Sequence, residues 1–393
     1  MKKQRSCILN QTAVAVRACD GYIYDKVRCA LREAVDAVGG FDFLRPGMKV
    51  ALKVNLVSSM AAEKAATTHP VVIRALCDML CERGATVVIG DSPGGLYTAS
   101  YVGHVYSATG VRDCVRDGVT LNDNFSQKEA NFPEGKQARH FTYTGYLDDA
   151  DAMIDVCKLK THGMMGYSGA VKNLFGTVPG TCKPEYHFRY PSYEAFADML
   201  VDLNEYFRPV LSVCDAIVGM EGNGPTAGEP RHIGCLLVSR SPHALDLLAT
   251  RLIGLGKDTV PTLKAAYDRG LIPATAEELP VDGDWPAFVI DDYKNIAVRH
   301  SLGFKGTSDS VIKNIFGSAV GAVLTAKPKL KTSLCVGCNM CGRVCPAGAI
   351  AMVKGKAHID RKKCIRCFCC QEFCPKGAMK VHRTWIARLA NHG

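Results

Sequence analysis

The run Cys335-Val-Gly-Cys338-Asn-Met-Cys341-Gly-Arg-Val-Cys345-Pro346 recurs 29 residues later as Cys364-Ile-Arg-Cys367-Phe-Cys-Cys370-Gln-Glu-Phe-Cys374-Pro375. Each copy continues as x-Gly-Ala, so the segment is an internal duplication. Three thiolates spaced two residues apart can wrap three corners of one iron–sulfur cubane within a tight turn. The fourth cysteine sits too far round to close the same cubane and ligates the other one. The spacing therefore predicts two 4Fe-4S clusters, one on Cys335, Cys338, Cys341 and Cys374, the second on Cys364, Cys367, Cys370 and Cys345. Zinc takes four ligands in paired Cys-x2-Cys units, which two triplet-plus-one runs do not match. Cys369, beside a ligand and outside the spacing, reads as a bystander thiol.

Nine of the 19 cysteines lie in this segment, and the other ten are scattered from Cys7 to Cys235. A secreted disulfide scaffold is short and evenly supplied with cysteine. A long chain with its thiols crowded at one end points to metal binding in a reducing compartment, hence a cytoplasmic location. Charge is equally uneven. The chain carries +10 overall, but residues from 327 onward hold 14 Lys and Arg against Asp360 and Glu372, a net of +12, which leaves the first 326 near −2. Two clusters with thiolate ligands offset about four of these charges. The remainder suits an acidic redox partner protein better than nucleic acid. No window supplies the ~20 apolar residues of a membrane span. Ile315 to Ala326 is too short and Gly-rich for one and reads as a buried helix or hinge. Asn10, Gln11 and Arg17 interrupt any apolar stretch of a signal peptide after Lys2, Lys3 and Arg5.

Upstream, strand and helix patterns alternate. Lys49–Val57, Ala85–Asp91, Ala152–Leu159, Val210–Val218 and Ile233–Ser239 read as strands. Tyr24–Val38, Val71–Arg83, Ser192–Phe207, Pro242–Gly254 and Pro261–Arg269 read as helices. This predicts an α/β domain over residues 1–326, with a largely parallel sheet and flanking helices and an irregular insertion near 95–145. A charged linker at 327–333, a small α+β domain at 334–382 and a tail at 383–393 complete the expected organisation.

Several strands finish in polar residues, as a sheet with its site at the strand C-termini requires. Lys53 and Asn55 are two apart, as are Lys158, Lys160 and His162, so each set falls on one face of its strand. Lys172 and Asn173 follow in Gly169-Ala-Val-Lys-Asn-Leu-Phe-Gly176. Together they suggest a cationic pocket for a carboxylate or phosphate, a possible anionic small molecule. Lys160, Lys172 and His162 are the candidate catalytic groups, with Lys53, Asn55, Lys158, Asn173 and Glu221 binding the ligand. Asp91, Asp215 and Glu221 close strands and are candidates for a metal or for acid–base work, although each type is common at turns and caps. Gly222-x-Gly224-x3-Gly228 does not open into a helix, so it is read as a Gly-Pro loop lining the pocket rather than a dinucleotide turn.

The cysteine repeat resembles the bacterial two-cluster ferredoxin module. Lys158-Leu-Lys-Thr-His162, Gly-Ala-Val-Lys-Asn173, Glu221-Gly-Asn-Gly-Pro225, Lys53-Val-Asn55, His69-Pro70 and Gly90-Asp-Ser-Pro93 resemble the prokaryotic family known as domain of unknown function 362, whose members often carry such a module. The resemblance implies that these polar positions form one site. Two expectations follow. One is an iron–sulfur oxidoreductase moving electrons between a partner and an anionic substrate or second redox centre. The alternative is an electron-transfer, binding or assembly protein whose α/β domain recognises an anion or metal without chemistry.

Overall fold

The structure, a computed structural model, describes residues 13–180, 182–296 and 327–382. The stretch Ile315–Ala326 and the tail lie outside the described residues.

Eight strands form the path of one mixed, mostly parallel sheet: β1 (Val14–Ala18), β2 (Lys49–Lys53), β3 (Thr86–Gly90), β4 (Val119–Leu121), β7 (Ala152–His162), β9 (Leu211–Glu221), β10 (Glu229–Ser239) and β11 (Val281–Asp282). Their order is β11-β1-β10-β9-β7-β2-β3-β4, and β8 (Gly166–Ser168) folds back on β7. β9, β7, β2, β3 and β4 run parallel, while β10 is antiparallel to both its neighbours.

Alternation along each strand sorts side chains to two faces. Val50, Leu52, Ile154, Val156, Val213 and Leu236 pack beneath the helices Tyr24–Ala37 and Pro70–Cys81. Cys157, Leu159, Cys214, Ala216 and Leu237 meet the helices Pro242–Arg251 and Pro261–Asp268 on the other side. A third cluster centres on the helix Tyr193–Phe207. Helix starts follow local chemistry. Ser192 and Ser241 accept backbone N–H bonds as N-caps, and Pro70, Pro242 and Pro261 occupy first turns, where their missing N–H costs nothing.

The sequence expectations for the α/β domain need correction in several places. The strand starting at Lys49 ends at Lys53, because the chain beyond turns into the site. β7 and β9 run on to His162 and Glu221, since their polar ends are still paired in the sheet. Residues 95–145 are also more regular than expected. They hold the helix Ala99–Ala108, the hairpin β5 (Gln127–Asn131) and β6 (His140–Thr144), and β4, which is an edge of the main sheet rather than part of an insertion.

The C-terminal region is a small α+β unit. β12 (Lys327–Leu330) pairs with β15 (Met379–His382), and β13 (Ile350–Val353) with β14 (Lys356–Ile359), so the stretch expected as a linker at 327–333 begins with a strand of this unit, held by its ladder to the far end of the repeat. Two short helices, Met340–Arg343 and Cys369–Glu372, occupy equivalent places in the repeat. The backbone repeats too. Asn339 and Phe368 both enter the left-handed region (φ 58° and 62°), as do Gly348 and Gly377 (56° and 55°). A bulky residue there is disfavoured by sterics, so the surroundings hold Phe368 in place. Among the described residues no helix is long and apolar enough to cross a membrane.

Candidate functional site

Cys335, Cys338, Cys341 and Cys374 line one cavity, so the second half of the repeat reaches across to the first. Burial first, then neighbouring thiols including Cys345, pushes the Cys364 and Cys370 thiols up. Cys345 is among the thiols that act on both. The crossing sulfurs are treated alike: Cys345 Sγ accepts the Ala349 N–H and Cys374 Sγ the Ala378 N–H, each at 3.2 Å. Each bond aims a backbone N–H at a sulfur of the repeat. The donor set fits iron–sulfur clusters. Cys369 is fully buried beside Cys367.

The helix Cys369–Glu372 is wedged into the α/β domain. Phe368 is buried in the third core cluster. Gln371 donates to Asn223 O and Gly224 O, both at 2.9 Å. The next residue, Glu372, faces a cleft lined also by Asn55, Lys160, His162, Lys172, Asn173 and Lys183. The cleft opens at the C-terminal ends of β2 and β7, where parallel strands leave polar groups free for a site.

An amide relay organises its floor. Lys160 Nζ donates to Asn55 Oδ1 and Ala66 O, both at 2.7 Å. Asn55 Nδ2 donates to Asn173 Oδ1 at 2.9 Å, and Asn173 Nδ2 to Asp155 Oδ1 at 2.6 Å. Lys53 lies beneath, fully buried and paired to Asp91 at 2.8 Å. The loop carrying Lys172 and Asn173 is fixed by Asp246, which accepts the Ala170 and Val171 N–H groups at 2.7 and 2.9 Å and the Tyr167 hydroxyl at 3.1 Å.

Protonation follows from these contacts. His162 Nδ1 accepts the Met164 and Met165 N–H groups at 3.1 and 3.2 Å, so its proton sits on Nε2, which lies 2.8 Å from Glu372 Oε1. The ring is neutral, and burial, then Lys172, lowers its pKa to about 4. Burial opposes ionisation of Glu372, but Lys172 and then His162 outweigh it and hold the carboxyl well below the usual carboxylate range. Burial, then Lys172, lowers Lys160 to about 7. Burial lowers Lys183 to about 8. Lys172 Nζ lies 5.6 Å from the Phe175 ring centroid, with no hydrogen-bond or ion-pair partner among the described residues. Burial lowers its pKa too.

Three expected pocket members stand elsewhere. Lys158 is sealed against Asp215 at 2.9 Å and donates to the Tyr22 hydroxyl, itself bonded to Asp215. Glu221 pairs with Lys294 at 3.1 Å. Lys53 is in the relay but outside the cleft lining. Asp91, Asp215 and Glu221 are thus each tied to a different lysine. Among the described residues no His, Cys, Asp or Glu trio groups tightly enough for a single metal ion. Two cleft residues were missed, Lys183 and Glu372. Lys183, whose Nζ donates to Ser92 O, follows a Gly-rich turn and gave no signal. Glu372 did give one, as one of only two acids in a strongly basic segment. The Gly222–Gly228 loop lends Pro225 to the cleft wall, as expected of a Gly-Pro loop.

A family model described as Domain of unknown function (DUF362) matches residues 50–251. The chain belongs to the DUF362 family. A second model, a 4Fe-4S dicluster domain, matches residues 327–375, which makes this DUF362 member an iron–sulfur protein. Thylakoid-associated protein sll1697 of Synechocystis sp. is 32% identical over 302 residues, covering 74% of this chain and 90% of that relative. Two solved structures are similar at 12% identity. One is a Thermotoga maritima protein (TM-score 0.34, 55% of this chain and 56% of that one). The other is the lactate racemase apoprotein of Thermoanaerobacterium thermosaccharolyticum (TM-score 0.38, 59% and 55%). The chain spans just over half the length of each of these two.

Proposed function

We propose that this DUF362 protein is an iron–sulfur oxidoreductase that moves electrons between a redox partner and an anionic substrate held in the lysine cleft. One observation carries the reading: Glu372, two residues beyond ligand Cys370, is a wall of that cleft. The substrate site and one cluster site therefore share a four-residue helix. Eight cysteines in crossed sets support two 4Fe-4S clusters, which supply electrons one at a time when bound.

The chain's own residues then have distinct roles. Lys172, without an acceptor among the described residues, binds the anion. Lys160, held by Asn55 and Ala66 and poised near neutrality, holds or releases a proton at Nζ. His162 is a positioning residue: its Nδ1 is occupied, and its Nε2 sits against the Glu372 carboxylate. Glu372, as a carboxylate, keeps Lys172 charged and repels a second anion. A reducing compartment, the cytoplasm in our reading, suits cysteines that form no disulfide among the described residues. The relative's name adds a thylakoid association as a location to test.

Lys160→Ala and Lys172→Ala are expected to retain full iron content and the visible cluster absorption. Both should abolish reoxidation of the reduced clusters by small anionic acceptors in anaerobic stopped-flow mixing. Unchanged reoxidation in both variants rejects the proposal, and reoxidation only by another protein favours the non-catalytic carrier.

A further inference from the structure

The two halves of the repeat share spacing and backbone but turn different side chains outward. The second half places Phe368, Gln371 and Glu372 against the α/β domain. The first has Asn339, Gly342 and Arg343 at these positions, and Arg343 is exposed. Around the first cysteine set the surface is open. Cys338 is exposed, as are Leu334 (37%), Val336 (63%), Met340 (36%) and Val353 (51%). These are four of the nine exposed large apolar side chains among the described residues, gathered within 20 positions of one another.

Leu334, Val336 and Met340 line the cavity of the first cysteine set, and the β13–β14 turn that follows Val353 abuts the Cys335–Cys338 loop. A Cβ on Gly337 would lie 2.7 Å from Gly355 O, and Lys356 Nζ donates to Cys335 O at 2.5 Å. The rim is cationic: Lys331, Arg343, Lys354 and Lys376 are exposed and have no ion-pair partner among the described residues. Of the two acids of this region, Asp360 accepts the Lys362 N–H, and Glu372 faces the cleft. Single exposed apolar residues need no explanation, but a contiguous apolar patch with a charged rim marks an interaction surface.

We propose that this face docks an acidic one-electron carrier protein, so that electrons pass first to the outer cysteine set and then to the inner set beside the lysine cleft. The order rests on the oxidoreductase reading; the docking surface does not. Charge selects the occupant. A second copy would bring two cationic rims together, which like-charge repulsion disfavours. The chain's own segments 297–326 and 383–393 are each net positive as well, with Arg299, Lys305 and Lys313 against Asp309 in the first and Arg383 and Arg388 in the second.

The test uses the full-length, cluster-loaded protein and an acidic plant-type 2Fe-2S ferredoxin as probe. Binding is measured calorimetrically at about 20 and 300 mM NaCl, a range over which screening changes strongly. Tight binding at low salt is expected, weakened at least ~10-fold by the triple variant Lys331→Glu/Lys354→Glu/Lys376→Glu and by Val336→Asp, and unchanged by Lys128→Glu on β5. Stopped-flow reduction by the probe should slow by the same factor, while reduction by photoreduced deazariboflavin, a small molecule, stays unchanged. Absence of binding at low salt, or binding indifferent to both variants, overturns the proposal. So does a dimer in sedimentation that Val336→Asp dissociates, since the face is then a self-interface. Because small-anion reoxidation in the Lys160 and Lys172 variants is read separately, each proposal can fail alone.

Discussion

At the residue scale the cleft depends on which lysines remain unpaired. Lys53 and Lys158 are matched by Asp91 and Asp215, and a buried ion pair has no charge left for a ligand. Lys160 and Lys172 have no carboxylate partner among the described residues, and burial, joined at Lys160 by the charge of Lys172, lowers the pKa of both. The consequence has a definite sign. Lys160 is protonated below about 7 and loses its charge above it. Affinity for malonate or sulfate should therefore be highest below that pH and fall above it by up to ~10-fold per pH unit, the limit for one linked proton. Calorimetric titration across this range checks it, and Lys160→Gln should flatten the slope. Stability moves the opposite way. An unfolded lysine keeps its proton to about 10.4, so between about 7 and that value the unfolded state binds more protons, and the Lys160 contribution to stability grows as pH rises.

At the element scale the helix Cys369–Glu372 serves two masters, since it carries one cluster ligand and a wall of the cleft. Its anchors are the buried ring of Phe368 and the amide of Gln371, which satisfies two loop carbonyls. Gln371→Ala strands both carbonyls and should cost about 1–3 kcal/mol. Phe368→Ala should cost about 3–5 kcal/mol, the usual loss for a buried aromatic. Both variants should keep their iron, because no ligand is touched, yet bind anions more weakly. Chemical denaturation, iron analysis and anion titration together check this. The signal for the helix was present in the sequence as a difference between the two copies of the repeat. Gln371-Glu372-Phe373 replaces Gly342-Arg343-Val344. Aligning the copies shows the substitutions, but only packing shows that they point into another domain.

At the scale of the whole molecule, the cluster-binding repeat and the α/β sheet complete one another. A metal site's binding energy is also folding energy, so cluster binding is expected to order residues 364–374. Stripping the iron should therefore loosen the cleft from a distance. Hydrogen exchange is expected to quicken at Gly163–Met165 and Asn223–Pro225, the segments against which this helix packs, with little change in β2 and β3. Equal exchange in the loaded and stripped forms would show that the two parts fold independently of the clusters.

Local rules determined much of this protein. Thiol spacing marks an iron–sulfur module, because ligand geometry is short-range. Alternation and capping specify most strands and helices, since these depend on neighbours a few residues apart. The polar strand ends marked the region of the cleft. Tertiary structure decided which of those polar residues belong to it. Lys158 and Glu221 were lost to Asp215 and Lys294, and Lys183 and Glu372 were gained, because pairing of charges depends on distances between segments far apart in the chain. It also made the two halves of the repeat unequal. Cysteine spacing is the same in both, but only one half meets the sheet, and burial of that half leaves the other open to solvent.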